Sequence, residues 1–350
     1  MRQATGNARG RINLIGEHTD YNDGLVLPIA LRLGVTVSAR ERDDSVAHLS
    51  TDAPVEAPEA SFLVGQERGD GTWADRARGV TAALAARGAP LRGFDARVQS
   101  DLPAGAGLGS SAAFAVALVR ALSELFELAL DDDTVVRVAH AAETDFVGAR
   151  AGLLDQLASV YGDDRAALLI DLRDQSTERI ELPEELELAV IDSGTRHEHA
   201  TGGYNRRRSE CEEAARHLGI GSLRDLEGHP LDSALERLPP PLDRRVRHVV
   251  TENDRVRQAV AALRAGDLDE VGRLLRASHG SLRDDYEVST FELDLLVDLA
   301  RTEGAALGAR LVGGGFGGSV LALARHGQAS TLAERVLARY PGGRLVAVVP

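Results

Sequence analysis

The stretch FDARVQSDLPAGAGLGSSAAFAVALVRALSELF, residues 94–126, constrains the fold of this chain more than any other. FDARVQ alternates apolar and polar residues, as a strand with one buried face does. Phe114, Leu118, Leu122, Leu125 and Phe126 then recur at helical spacing. Between strand and helix lies a loop with glycines at 105, 107 and 109, followed by Ser110 and Ser111. Such a loop meets the open N-terminus of the helix. Unpaired N–H groups and the helix dipole favour an anion there. Glycine lets the backbone come close enough to hold it. Serine hydroxyls at that place can cap the helix, bind Mg²⁺, or both. The plainer alternative is a glycine-rich turn with Ser110 or Ser111 as an ordinary N-cap.

A Walker A loop is excluded, because it needs Gly-Lys-Ser/Thr and the chain has no lysine. Lysine nucleophiles and Schiff-base chemistry are excluded for the same reason. The net charge is −14, which argues against nucleic acid or an anionic membrane as partner. Cys211 is the only cysteine, so neither an intramolecular disulfide nor a Cys-rich zinc site can form. There is no apolar signal core at the start and no run of 18 apolar residues, so a soluble cytoplasmic protein is expected.

The 350 residues suit two domains. Strands are predicted over 10–15, 25–40, 166–172 and 187–193, with strand and turn over 46–63. Helices are predicted over 73–87, 133–147, 203–218, 242–265, 267–284 and 290–303, and a short one within 152–161. LPPPL, residues 238–242, reads as a rigid turn between helices. The chain closes with strand, glycine turn, strand, a helix near 328–339 and a last strand. The first half mixes strand and helix; the second is helix-rich. Strands and helices do not alternate regularly, so the class is α+β, with a break near 175–185.

Several polar residues stand out beside this frame. GRINLIGEHTDYNDG runs from an apolar strand straight into Glu17, His18, Thr19 and Asp20. By itself this could be a surface loop with an Asx-turn at residues 22–24. Glu143 lies on the edge of the apolar face formed by Val135, Ala139, Ala142 and Phe146, where a carboxylate wants a partner. Asp155 in GLLDQL reads alone as a helix N-cap. His197 and His199 have no third ligand at suitable spacing, which favours a non-metal role.

LPAGAGLGSSA resembles the phosphate loop of the GHMP kinases, which use no Walker lysine, and GRINLIGEHTDYNDGLVLPIAL is similar to the galactokinase signature. GLLDQL, GGYNRRRSECEEA, SLRDDYEVSTFELDLLV and GARLVGGGFGGSVLAL also resemble galactokinase segments, in the family's order. The resemblance implies a two-domain GHMP kinase fold. Residues 1–180 would be a ribosomal-protein-S5-like domain and 181–350 a ferredoxin-like, helix-rich one, with the active site in the cleft between them. It implies phosphoryl transfer from ATP to the C1 hydroxyl of α-D-galactose. Asp155 would be the catalytic base and Arg11 would stabilise the transferring phosphoryl group. Glu17, His18, Asp20, Gly152 and Tyr204 would bind the sugar. Gly105, Ala106, Gly107, Leu108, Gly109, Ser110 and Ser111 would cradle the ATP phosphates. Ser110 or Ser111, with Glu143, would hold Mg²⁺. A monomer or weak homodimer is expected.

Three departures from the family pattern stand out. Leu154 replaces a Met, a volume-conserving change. DSGTRHEHATGG lacks the family's serines upstream of Tyr204. Arg9 stands where the family has Pro, and the family has about twenty more residues before Arg11, where ends hold only when tied into a sheet. Two alternatives stay open: a kinase for another sugar, such as N-acetylgalactosamine or arabinose, and a non-catalytic sensor of galactose and ATP. A sensor could lose Asp155, Arg11 or the Ser-Ala step of GLGSSAA, and all are present.

Overall fold

The computed structural model describes residues 1–103, 106–196, 200–302 and 306–349. The strands are β1 (Gln3–Asn13), β2 (Leu25–Val26), β3 (Pro28–Glu41), β4 (Val46–Thr51), β5 (Glu59–Leu63), β6 (Phe94–Ser100), β7 (Ala166–Asp171), β8 (Ser176–Glu181), β9 (Leu186–Arg196), β10 (Gly308–Val312), β11 (Gly317–Arg325) and β12 (Arg344–Val349). The helices are α1 (Asp75–Ala85), α2 (Ser110–Leu125), α3 (Asp132–Ala141), α4 (Leu154–Tyr161), α5 (Ala200–Leu218), α6 (Leu231–Leu235), α7 (Leu242–Ala265), α8 (Leu268–Asp284), α9 (Phe291–Thr302) and α10 (Ala329–Arg339). Among the described residues no helix is long and apolar enough to cross a membrane. The chain divides into two compact units. The first is Met1–Arg11, Ala30–Ala104 and Leu108–Gly162; the second is Ile12–Ile29, Gly105–Gly107 and Asp163–Pro350.

In the first unit β6 pairs antiparallel with β3 and parallel with β4, and β5 covers the far edge of β4. β1 pairs with β3. It starts at Gln3, well before the predicted residue 10. Its buried positions include Ala4, Gly6, Ala8 and Gly10, too small to give a strong apolar signal. Small residues are needed because β1 lies against α2. A Cβ on Gly6 would come within 1.9 Å of the Ala117 carbonyl oxygen. Gly6→Ala is therefore expected to cost about 1–3 kcal/mol of stability. An unchanged melting temperature would show that β1 can move off α2.

α2 differs from the single apolar stripe its large residues suggest. It is buried on nearly every side, since Ala112, Ala113, Ala117 and Ala121 fill the faces between Phe114, Leu118 and Leu122. α1, α3 and α4 pack around it. The predicted helix over 133–147 is also modified. α3 ends at Ala141, and residues 142–146 form a π turn, with the Val147 N–H on the Ala142 carbonyl at 3.2 Å. A π turn adds a residue to the turn, so side chains beyond it leave the 3.6-residue spacing.

The second unit holds an antiparallel sheet in the order β10-β11-β9-β12. Ile191, Val246, Leu282, Leu293, Leu311 and Val320 belong to its core. β2 and β8 pair with β7, which reaches Ile29 at the start of β3 in the same sheet. β8 escaped prediction because it is a polar edge strand with Ile180 as its one buried residue. α6 ends before LPPPL and α7 begins within it, as expected.

The polar loop after β1 is carried by this second unit. Its two arms pair through Leu14 N–H on the Leu27 carbonyl and Leu27 N–H on the Ile15 carbonyl, both at 3.0 Å. α7 pins it from the side. The Glu252 carboxylate accepts from Gly16 N–H at 3.0 Å, and Asn253 Oδ1 accepts from Leu25 N–H at 2.8 Å.

Candidate active site

In the first unit, β6 leads to the glycine-rich loop and α2. Gly105 lies outside the described residues, as do His197 and His199. Gly109 is the N-cap of α2, at φ 74°, a left-handed conformation that glycine adopts without strain. No side chain caps this helix, so neither serine is the ordinary N-cap that remained open. Ser110 and Ser111 line a cavity of about 150 Å³ with Val55, Trp73, Arg76 and Phe114.

Arg11 runs along this loop. Its N–H donates to the Leu108 carbonyl at 2.9 Å, and its Cγ lies 3.4 Å from where a Cβ on Gly109 would sit. Its guanidinium grips Asp155 by Nη2 at 2.6 Å and Nε at 2.9 Å. Asp155 is the second residue of α4, whose N-cap is Leu153. The carboxylate is therefore not occupied as a cap. Gly152 is half-buried just ahead of that helix.

Glu143 sits in the π turn, against which α1 packs. It accepts from Gln156 Nε2 at 2.7 Å. Burial, and next the charge of Asp155, push its carboxyl upward; Arg76, the Gln156 amide and Arg11 draw it back. Gln156 Oε1 is buried and has no hydrogen bond. The Glu143 carboxylate, next to the Asp155 charge and the unbonded Gln156 carbonyl oxygen, is an oxygen-donor set that suits a hard cation.

In the second unit, Glu17 is a buried clasp. Oε1 accepts from Gly313 N–H at 2.8 Å and faces Arg310 Nη2 at 3.1 Å; Oε2 accepts from Asn13 Nδ2 at 2.6 Å. Arg310 is fully buried and also donates to the Leu14 carbonyl at 2.7 Å. His18 has φ 63°, an uncommon conformation for a non-glycine residue. Its ring centroid lies 5.5 Å from that of Tyr204. Asp20 is half-buried at the start of a 3-10 turn, Asp20–Asn22. The turn at 22–24 closes on Thr19, whose carbonyl accepts from the N–H groups of Asn22 and Gly24.

The glycine turn between β10 and β11 and the start of β11 do two jobs. Gly313 holds Glu17, and Ser319 Oγ donates to the Ala106 carbonyl at 2.9 Å. Gly107 lies close by, since a Cβ there would be 3.7 Å from the Val312 carbonyl oxygen. Gly314 lies against Tyr204. The sequence pointed to Glu17, His18 and Tyr204 but not to Arg310, Gln156 or Arg76. Arg310 sits in the resembling segment GARLVGGGFGG, though nothing in the spacing says that it reaches Glu17.

Residues 3–41 match the galactokinase galactose-binding signature, 76–163 the N-terminal domain of GHMP kinases and 259–342 their C-terminal domain. A galactokinase of Chloroflexus aurantiacus is 46% identical over 323 residues, covering 90% of this chain and 82% of that one. The chain belongs to the galactokinase family. The Streptomyces coelicolor galactokinase is 44% identical over 325 residues, 90% of this chain and 83% of that one. The crystal structure of Lactococcus lactis galactokinase complexed with galactose matches with a TM-score of 0.93 at 30% identity, over 98% of this chain and 93% of that one. The α+β GHMP kinase fold implied by the motifs is thus the fold observed. The L. major mevalonate kinase, at 23% identity and a TM-score of 0.68, shares the fold alone.

Two histidines near the galactokinase signature make stability depend on acid. Burial first, then the charges of His248 and Arg207, pushes His18 down to about 3. Burial likewise pushes His248 down to about 4; its Nε2 faces the Glu17 carbonyl at 3.1 Å. Unfolded, both titrate near about 6.5. Between those values the unfolded chain binds more protons, so stability is full above the unfolded value and falls as pH drops below it. Denaturant melts at about pH 5 are expected to give about 2–4 kcal/mol less stability than at about pH 7.5. Equal values would contradict the neutral burial of both rings.

Proposed function

We propose that this protein transfers the γ-phosphoryl group of ATP to the C1 hydroxyl of α-D-galactose, releasing ADP and galactose 1-phosphate. The observation that carries this reading is the Arg11–Asp155 pair, joined at 2.6 Å beside a glycine-capped helix N-terminus, in a chain bearing the galactose-binding signature. Asp155 takes the C1 hydroxyl proton as that oxygen bonds the γ-phosphorus and the bond to the ADP oxygen breaks. How far the proton moves before the P–O bond forms depends on how dissociative the transition state is. Arg11 holds Asp155 in place and offers its guanidinium to the negative charge spread over the transferring group. The open N–H groups of α2, with the loop through Gly109, receive the ATP phosphates. The cavity lined by Val55, Trp73 and Phe114 takes the apolar face of the adenine.

Among the described residues no three His, Cys, Asp or Glu side chains converge as a metal cage. Mg²⁺ carried by a nucleotide needs none, because it keeps waters and phosphate oxygens and takes one or two protein ligands. Glu143 and a hydroxyl of Ser110 or Ser111 would supply them. Bound there, the ion would neutralise charge on the phosphates. Arg76, which lines the same cavity and eases the charge of Glu143, is a further cation for that end.

On the sugar side, His18, Asp20 and Tyr204 address the hydroxyls and one apolar face. Glu17 acts first as the anchor of this loop, and the galactose-binding signature in which it lies supports a sugar contact from it as well. A site that pairs each hydroxyl rejects epimers, because a mismatch strands a buried polar group. The test is ADP release with Mg·ATP across galactose, glucose, arabinose, N-acetylgalactosamine and no sugar. Release with galactose far above the others is expected. Release with a different sugar would move the substrate; no release with any, alongside galactose-dependent thermal stabilisation, would indicate a sensor.

A further inference from the structure

His18 is the first of four groups in a hydrogen-bonded line. Its Nδ1 lies 2.8 Å from the Tyr21 hydroxyl, which lies 2.8 Å from the Tyr286 hydroxyl, which lies 3.0 Å from Cys211 Sγ. His18, Tyr286 and Cys211 are buried. The line is held rigidly at both ends. Asn22 Nδ2 donates to the His18 carbonyl at 2.9 Å. Arg207 Nε donates to the Tyr286 carbonyl and Arg245 Nη1 to the Asp285 carbonyl, each at 2.5 Å. The His18 ring is packed against two others, at 4.7 Å from Tyr286 and 5.5 Å from Tyr204 between centroids.

Each hydroxyl has one proton, so the line must run in one direction. If Nδ1 donated, Tyr21 would donate to Tyr286 and Tyr286 to sulfur. In the reverse direction a phenol donates to an imidazole nitrogen. Phenol is the stronger acid and imidazole nitrogen the better acceptor, so the reverse makes the stronger bond. The sulfur end decides little, because a thiol is weak both as donor and as acceptor. We propose that Tyr21 is a positioning residue that fixes His18 as the Nε2–H tautomer, so that this imidazole can only donate to a sugar hydroxyl. The proposal rests on the galactose-binding reading of His18 given above.

Nε2 is the end left for a ligand. It is buried and makes no hydrogen bond within the protein. A hydroxyl that accepts from Nε2–H must send its own proton elsewhere, and carboxylates in the same loop can take it. The recognised hydroxyl is thereby fixed in direction as well as in place, which an ether or a fluorine at that carbon cannot reproduce.

The test uses the full chain labelled with ¹⁵N-histidine and long-range ¹H–¹⁵N spectra, His18 being assigned by its loss in His18→Gln. The free protein is expected to show a protonated Nε2 and a bare Nδ1. In Tyr21→Phe, Nδ1 loses its hydroxyl donor, and nothing in the line then selects a tautomer. The tautomers should then mix, and KM for galactose should rise about fivefold while kcat and the KM for ATP stay within about twofold. A protonated Nδ1 in the unmutated chain overturns the proposal without any variant. A folded Tyr21→Phe with an unmixed tautomer and unchanged KM overturns it too. If that variant does not fold, Tyr286→Phe removes the other acceptor for the Tyr21 proton and must keep Nδ1 bare; a protonated Nδ1 there overturns the proposal. Failure of the galactose reading looks different. Saturating galactose would then leave the Nε2 resonance unmoved while the tautomer stays as proposed, which overturns the sugar role alone.

Discussion

Asp155→Asn is expected to lower kcat about a thousandfold while KM for galactose changes only a few-fold. The amide has the shape of the carboxylate but can neither take a proton nor hold a charge against Arg11, now at 2.6 and 2.9 Å. The fold should be unaffected, because Leu153, not Asp155, is the N-cap of α4. Steady-state kinetics beside a thermal melt separate the two effects. A variant with kcat within about tenfold of the parent would remove Asp155 from the role of base. A variant with equal losses in kcat and in melting temperature would make it a structural residue.

Arg310→Met is expected to destabilise the protein by about 3–5 kcal/mol, the cost of leaving a buried charge without its partner. Arg310 is fully buried and lies 3.1 Å from Glu17. Without it, the Glu17 carboxylate loses that cation while keeping Gly313 N–H and Asn13 Nδ2, and the Leu14 carbonyl loses its donor. Adding Glu17→Gln should recover part of the loss, since an amide needs no counter-charge. Denaturant melts of the single and double variants form the cycle. Arg310→Met within about 1 kcal/mol of the parent would mean that Glu17 is neutral or open to water. A double variant less stable than Arg310→Met alone would mean that the pair is not the reason.

The legible part of this protein is local. FDARVQ, the glycines and the apolar spacing that follows define strand, loop and helix from contiguous residues, and the structure has them as β6, the loop and α2. The failures are local signals that were weak or overridden. β1 was shortened because its buried residues are alanine and glycine. β8 was missed because its exposed face is polar. The helix over 133–147 acquired a π turn that no periodicity anticipates. Asp155 looked like an N-cap because Asp before an apolar run usually is one.

The sequence by itself determined which chemical groups the chain owns and where its backbone can approach an anion. It has no lysine, one cysteine, a glycine-rich loop at a helix start and a cluster of polar residues after a strand. Only the tertiary structure decided which of those groups meet. Arg11 reaches Asp155 across 144 residues, and Arg310 reaches Leu14 across 296. His18 is tied to Cys211 through two tyrosines that lie 265 residues apart. The physical reason is that a side chain's role depends on burial and on its partners. Both are set by how the distant strands and helices pack, and sequence spacing carries no distance between residues that far apart.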